Sequence, residues 1–262
     1  MINTTFFIKT KIISVRLNPC LIAIWACLFV SCSKKKEIAS YSAIIPQAAL
    51  LDSTRHKNVY YFGDSITQGA GASGTSRRWS TLLANAYQFN EFNFGVSGTT
   101  LENEDPVNPS AAPNMMQRAQ SDIPVKSNND KWLFFAYGTN DCHLNLPNYT
   151  PENFTAQYGE VIKIALSKGW KPADIIIIGG YLTNPATWNM ISVEAVFGNL
   201  TNKYQQFKNS AWVIADTFHC QYIDPTAYMA AHGNLNLLYP DGIHLNDAGD
   251  YAVAVYLAEA IH

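Results

Sequence analysis

The chain has 262 residues, of which 48% are hydrophobic, 13% aromatic and 15% charged, a composition that suits one globular domain plus a tail and excludes an intrinsically disordered chain. Its formal net charge is -2, and no basic run interrupts the body of the chain, which argues against a nucleic-acid partner. Charge is divided unevenly: three basic residues (Lys9, Lys11 and Arg16) and no acids precede Cys32, leaving 15 of the 18 basic residues and all 20 acidic ones from Cys32 onward.

Residues 1–31 read as an export signal, with a positive front and an apolar run from Leu21 to Val30. That run is too short to span a bilayer as a helix but suits the hydrophobic region of a signal peptide. It ends Leu28-Phe29-Val30-Ser31-Cys32, which resembles a bacterial lipoprotein lipobox. The resemblance implies lipidation of Cys32 and attachment to a membrane of the cell envelope, with Phe29 a departure where leucine is usual. Residues 32–57 contain Pro46 and show no strong period, so they read as a tether, with Lys34, Lys35 and Lys36 solvated.

The body then alternates between apolar runs and amphipathic segments. Val59–Phe62 predicts a first buried strand that stops at Gly63-Asp64-Ser65. A serine at the end of a rigid strand is a candidate nucleophile, although Gly-Asp-Ser alone is also ordinary turn chemistry. Trp79, Leu82, Leu83 and Ala86 have helical spacing within Arg77–Tyr87. Glu91–Phe94 predicts a second strand, Pro113–Ile123 a helix and Lys131–Tyr137 a third strand. Pro151–Ser167 reads as a helix capped by Thr150, with Phe154, Tyr158, Val161, Ile162 and Ala165 on one face. Ile175–Ile178 predicts a fourth strand, Val193–Phe207 a helix, Ala211–Ala215 a fifth strand, and Asp247–Ile261 a last helix capped by Asn246. Strands apolar on both faces and separated by helices imply a parallel sheet covered on both sides, a three-layer α/β/α domain over residues 58–262.

Two glycine patterns near the first strand fail their physical requirements. Gly69, Gly71 and Gly74 spell a dinucleotide fingerprint, but Asp64 to Gln68 intervene after the strand and no acid ends the second strand to hold a ribose. The same segment lacks the lysine of a phosphate-binding loop. It reads instead as a loop beside Ser65. No G-x-S-x-G occurs, which excludes the α/β-hydrolase nucleophile elbow. No His, Cys, Asp or Glu cluster has metal-ligand spacing, and no cofactor is expected.

Three further segments follow strands or precede the last helix: Ser97-Gly98-Thr99-Thr100, Gly138-Thr139-Asn140-Asp141 and Asp241-Gly242-Ile243-His244. Strand C-termini of an open parallel sheet gather on one edge, where ligands bind. Acyl transfer needs a nucleophile, a base, a group that fixes the base's tautomer, and donors for an oxyanion. Ser65, His244 and Asp241 can supply the first three. The backbone N–H groups of Ser65 and Gly98 and the Asn140 amide can supply the donors.

Together with Gly63-Asp64-Ser65-Ile66-Thr67, these segments resemble the SGNH family, also called GDSL esterases and lipases. The resemblance implies a flavodoxin-like sheet of five parallel strands in the order 2-1-3-4-5 and ester hydrolysis through an acyl-serine. It implies that Ser65, Gly98, Asn140 and His244 carry the name-giving roles, with Asp241 completing the triad. Cys142 and Cys220 are read as following strands three and five at the functional edge, where export permits a disulfide. Strand four would hold those strand ends roughly 10 Å apart, and their pairing is left open. The loops Thr99–Asn114, Tyr181–Met190 and Tyr228–Tyr239 should choose the substrate, and none reads as a long apolar lid. A short acyl group, such as acetyl on a glycan, is expected ahead of a lysophospholipid or thioester, with an idle glycan-binding protein on the same fold as the rival from another class.

Overall fold

A computed structural model of the chain describes residues 55–103, 113–143, 149–181, 183–184 and 200–261. The expected signal, Cys32 and most of the expected tether lie outside them, as do much of the Thr99–Asn114 and Tyr181–Met190 loops, Trp188 included. Five strands make the sheet: β1 (Asn58–Gly63), β2 (Asn90–Gly95), β3 (Asp130–Ala136), β4 (Ile175–Ile178) and β5 (Gln221–Ile223). All neighbours pair in parallel, in the order β2-β1-β3-β4-β5.

Alternation along each strand splits the core in two. Tyr60, Phe62, Leu133, Phe135, Ile175 and Ile177 face one layer, and Val59, Tyr61, Trp132, Phe134, Ile176 and Ile178 face the other. The numbered helices begin with α1 (Ser65–Gln68) and α2 (Trp79–Tyr87), followed by α3 (Met115–Asp122), α4 (Thr139–His143) and α5 (Pro151–Ser167). The chain then forms α6 (Leu200–Phe218), α7 (Thr226–His232) and α8 (Asp247–Ala260). Helices α3, α5 and α6 contribute to the first layer, and α2 and α8 to the second. Thr150 caps α5 as expected, its side chain accepting from Asn153 N, and the expected face of α5 is buried.

The segment Ala211–Ala215 is helical, which corrects the strand expected there. Ala211, Ile214 and Ala215 are buried with Phe207, whereas Trp212 and Val213 are 52% and 41% exposed. That is a helical period, and no glycine or proline breaks it from the residues before. The fifth strand is Gln221–Ile223, a three-residue edge strand with no apolar run to announce it. The earlier helix expected from Val193 is described only from Leu200, with residues 191–199 outside the described set. The shift also moves Cys220. It precedes β5, at the sheet edge opposite to Cys142 in α4, and both thiols are free.

Helix α2 lacks a cap from its own chain neighbour, since the Arg78 side chain makes no capping bond. Asp250, from α8, accepts the Trp79 N–H at 2.9 Å instead. Burial pushes the Asp250 carboxyl from 3.8 up to about 8, against the opposing pull of that N–H. The folded protein therefore keeps a proton that the unfolded chain releases. This group's favourable contribution is complete below pH 3.8 and is lost as pH rises through about 8. Asp250→Asn keeps an oxygen for Trp79 but does not titrate. Its melting temperature relative to wild type is expected to rise steadily between pH 5 and pH 8.5 in differential scanning fluorimetry, and a flat or falling difference would contradict the buried carboxyl's role.

Candidate active site

The sheet delivers three loops to one place. Gly63 pairs with Gly95 on one side and with Ala136 on the other, so the C-ends of β1, β2 and β3 stand in a row. Beyond Gly63, Asp64 caps α1, its carboxylate accepting from Ile66 N at 2.9 Å. Burial pushes the Asp64 carboxyl up to about 6, against the N–H of Ile66 and the nearby His244 ring. Ser65 is the first residue of α1 and is 6% exposed.

His244 arrives from the far end of the domain. Leu238 and Leu245 form an isolated antiparallel bridge, and Tyr239 N donates to His244 O at 2.8 Å, so the intervening loop is closed on itself. Within it, the Asp241 carboxylate accepts from the backbone N–H groups of Ile243 and His244 at 2.9 and 3.0 Å. Asn246 then caps α8 and donates its amide back to Leu238 O at 3.0 Å. Each bond is local, which is why three residues suffice to aim the His244 ring at Asp241.

The result is a continuous line of hydrogen bonds. Ser65 Oγ lies 2.9 Å from His244 Nε2, and His244 Nδ1 lies 2.6 Å from Asp241 Oδ2. An ionised carboxylate can only accept, so Nδ1 carries the proton, and in the neutral ring Nε2 is the acceptor for the Ser65 hydroxyl. Burial pushes the Asp241 carboxyl up, but hydrogen bonds from the His244 ring and from the Ile243 and His244 backbone outweigh it and hold it below the usual carboxylate range. Asp241 therefore stays ionised at neutral pH.

The other two expected residues sit on the neighbouring strand ends. Val96 N donates to Gly63 O at 3.0 Å and Ser97 N to Gln68 Oε1 at 2.9 Å, tying the loop after β2 to the start of the Ser65 segment. Gly98 follows with φ +76°, a left-handed conformation that side chains rarely adopt. Asn140 stands in α4 and donates one amide hydrogen to Thr99 O at 2.8 Å, leaving the second amide hydrogen. Among the described residues, the backbone N–H groups of Ser65 and Gly98 have no protein partner. No group of three or more His, Cys, Asp or Glu side chains among the described residues is arranged to hold a metal ion. Tyr181 is 1% exposed and packs in the core, and the His143 side chain lies outside the described residues.

Three contacts had no counterpart in the sequence reading. Asp141, quoted there only as part of a motif, holds the loop after Gly98 through backbone N–H groups. Ser73 donates its N–H and its hydroxyl to Asp247, each at 2.7 Å. Gly71, at φ +92°, lies against His244 and Leu245: a Cβ there would overlap Leu245 O and come within 2.9 Å of His244 Cβ. The glycine-rich loop is thus a wall of the histidine loop. A small displacement of a catalytic group costs up to about 100-fold in rate. Gly71→Ala is expected to lower p-nitrophenyl acetate turnover about 10–100-fold. Gly74→Ala, where a Cβ meets nothing within 4 Å, is expected to stay within about twofold of wild type, near the small effects of open surface sites. Equal rates for the two variants would refute the contact's importance.

Residues 61–252 match the family model of the GDSL-like lipase/acylhydrolase family. Among solved structures, the M. Smegmatis aryl esterase is 19% identical, with 78% of this chain and 97% of that one covered at a TM-score of 0.61. A carbohydrate acetylesterase family member from Sinorhizobium meliloti is 18% identical, with 78% and 96% covered at 0.59. The lipase/acylhydrolase from Enterococcus faecalis is 18% identical, with 78% and 94% covered at 0.61. These structures share the fold, and no curated protein matches the chain. The family match spans all four motif segments around the Ser65–His244–Asp241 line, and the chain belongs to the GDSL-like lipase/acylhydrolase family of ester-bond hydrolases.

Proposed function

We propose that the protein is an exported serine esterase that removes a short acyl group, acetyl above all, from a carbohydrate through an acyl-Ser65 intermediate. The observation that carries the reaction type is the unbroken line from Ser65 Oγ through the His244 ring to the Asp241 carboxylate. In this reading Ser65 Oγ attacks the ester carbonyl as His244 Nε2 takes its proton. The Ser65 and Gly98 N–H groups and the free Asn140 amide hydrogen receive the charge on the former carbonyl oxygen. His244 returns the proton to the leaving alcohol, and the acyl group stays on Ser65. Water then attacks the acyl carbon, giving its proton to His244. The carboxylic acid departs and Ser65 regains its hydrogen.

Two observations support a sugar as the leaving alcohol. One is the likeness of fold to a carbohydrate acetylesterase. The other is a groove of about 310 Å³ on the histidine loop, lined by Asn184, Asn236, Tyr239, Pro240 and Gly242 among others. Tyr239 is half exposed there. Among the described residues the lining has no carboxylate, ammonium or guanidinium group, which suits a neutral ligand with hydroxyls for the amides and a C–H face for the ring. The lipobox-like run supports export and a lipid on Cys32.

Ser65→Ala is expected to abolish both p-nitrophenyl acetate hydrolysis and labelling by an organophosphate. Unchanged turnover in that variant would sink the assignment. Across a series of p-nitrophenyl esters, wild type is expected to favour acetate over octanoate. The reverse order would point to a long-chain acyl substrate. Cys32→Ser is expected to move the protein from the membrane fraction to the soluble one and to end incorporation of labelled fatty acid. Retained incorporation at another residue would exclude this anchor.

A further inference from the structure

The loop from Gly98 to Glu102 is gripped from both sides. Its carbonyls are taken by three donors: Asn140 Nδ2 reaches Thr99 O at 2.8 Å, and the N–H groups of Met115 and Met116, at the start of α3, reach Thr100 O and Leu101 O at 3.0 and 3.1 Å. Two of its N–H groups converge on a single carboxylate. Leu101 N donates to Asp141 Oδ1 and Oδ2 at 2.9 and 3.2 Å, and Glu102 N donates to Oδ1 at 3.0 Å. Asp141 has no exposed surface. It is the next residue after Asn140 on the same short helix, so one turn of α4 holds both the Asn140 amide and the segment that follows Gly98.

We propose that Asp141 is a positioning residue for the oxyanion site: it fixes the backbone after Gly98 against α4, so that the Gly98 N–H and the Asn140 amide keep one mutual geometry. The proposal rests on the serine-esterase reading above. Asp141 touches no substrate and acts only through the loop.

The surroundings explain why a carboxylate holds this place at a cost. Burial pushes Asp141 up to about 7, against the N–H groups of Glu102 and Leu101 that favour its ionised form. Glu102 is itself 1% exposed, and among the described residues neither of its side-chain oxygens has a hydrogen-bond partner. Burial and the Asp141 charge push it up to about 9, so it keeps its proton at neutral pH. A loop with two buried N–H groups and no strand to pair with needs a strong acceptor nearby. Asp141 is that acceptor, forty residues away in sequence from Leu101.

The test separates positioning from general stabilisation. Turnover is counted per Ser65 labelled by an organophosphate at completion, with melting curves for every variant. Failure of wild type to label would sink the esterase reading itself, independently of Asp141. Asp141→Ala is expected to lower kcat about 10–100-fold with KM within about twofold, as for loss of an interaction made only in the transition state. Asp141→Asn keeps Oδ1, which both N–H groups reach, and is expected to stay within about fivefold of wild type. Asn140→Ala should cost about 10²–10³ if it donates to the oxyanion. On that background Asp141→Ala is expected to cost less than about threefold more, because the two residues serve one function. An Asp141→Ala variant with wild-type kcat, or a full multiplicative loss in the double variant, overturns the proposal. If Asp141→Ala does not fold, Asp141→Ser, too short to span both N–H groups, carries the same cycle with the same expected outcomes.

Discussion

Parallel pairing in register is the constraint from which the rest of the site follows. Because Gly63, Gly95 and Ala136 stand side by side, everything the chain adds after β1, β2 and β3 begins on one edge. Ser65 is two residues beyond one strand end, Gly98 three beyond the next, and Asn140 four beyond the third. Connections this short leave the backbone little freedom. The site's precision therefore comes from the sheet, whose three central strands, β1, β3 and β4, are buried on both faces by separate apolar layers.

What the sheet cannot do is satisfy the irregular backbone just outside it, and buried carboxylates perform that task. Asp64 receives Ile66 N, Asp141 receives Leu101 N and Glu102 N, and Asp250 receives Trp79 N. Burial raises all three above the ordinary carboxylate range, so each is held against a desolvation cost. The alternative is an unpaired N–H in an apolar surrounding, at about 1–3 kcal/mol each. Asp241 is the contrast. It is more exposed, its acceptor bonds outweigh burial, and it remains ionised beside His244. The same side chain thus serves as a buried fastener at one place and as a permanent negative charge at another, and the environment alone decides which.

Much of this was legible in the sequence because its signals are local. Continuous apolar runs announced three strands, the alternating Glu91–Phe94 a fourth, Thr150 and Asn246 announced two helix starts, and the three-residue spacing from Asp241 to His244 announced a hydrogen bond that one turn can close. The failures share a cause. Ala211–Ala215 is a short apolar run whose period only the neighbouring turns reveal, and Gln221–Ile223 is a strand because β4 lies beside it. The fasteners were invisible for the same reason: Asp141 and Asp250 bond to backbone atoms far away in the chain, and any residue except proline presents the same N–H. Gly71 was read as part of a loop beside Ser65, yet its contact with Leu245 O depends on a fold that no glycine count encodes.

The pairing of Ser65 with His244 joins residues 179 apart, and no strand connects them. Their relative position is set by a seam between the first and last parts of the domain. Helices α2 and α8 pack in the same layer, Asp250 caps α2, Ser73 bonds to Asp247 at the start of α8, and Gly71 lies against the histidine loop. These contacts follow the Ser65–His244 bond along both segments, running from Gly71 and Leu245 out to Trp79 and Asp250. The nucleophile is thereby mounted on the sheet and the base on the seam, and the two are brought to 2.9 Å by independent sets of contacts. Side chains along the seam that touch neither Ser65 nor His244 therefore bear on proton transfer, since a shift of α8 relative to α2 moves the base while leaving the nucleophile in place.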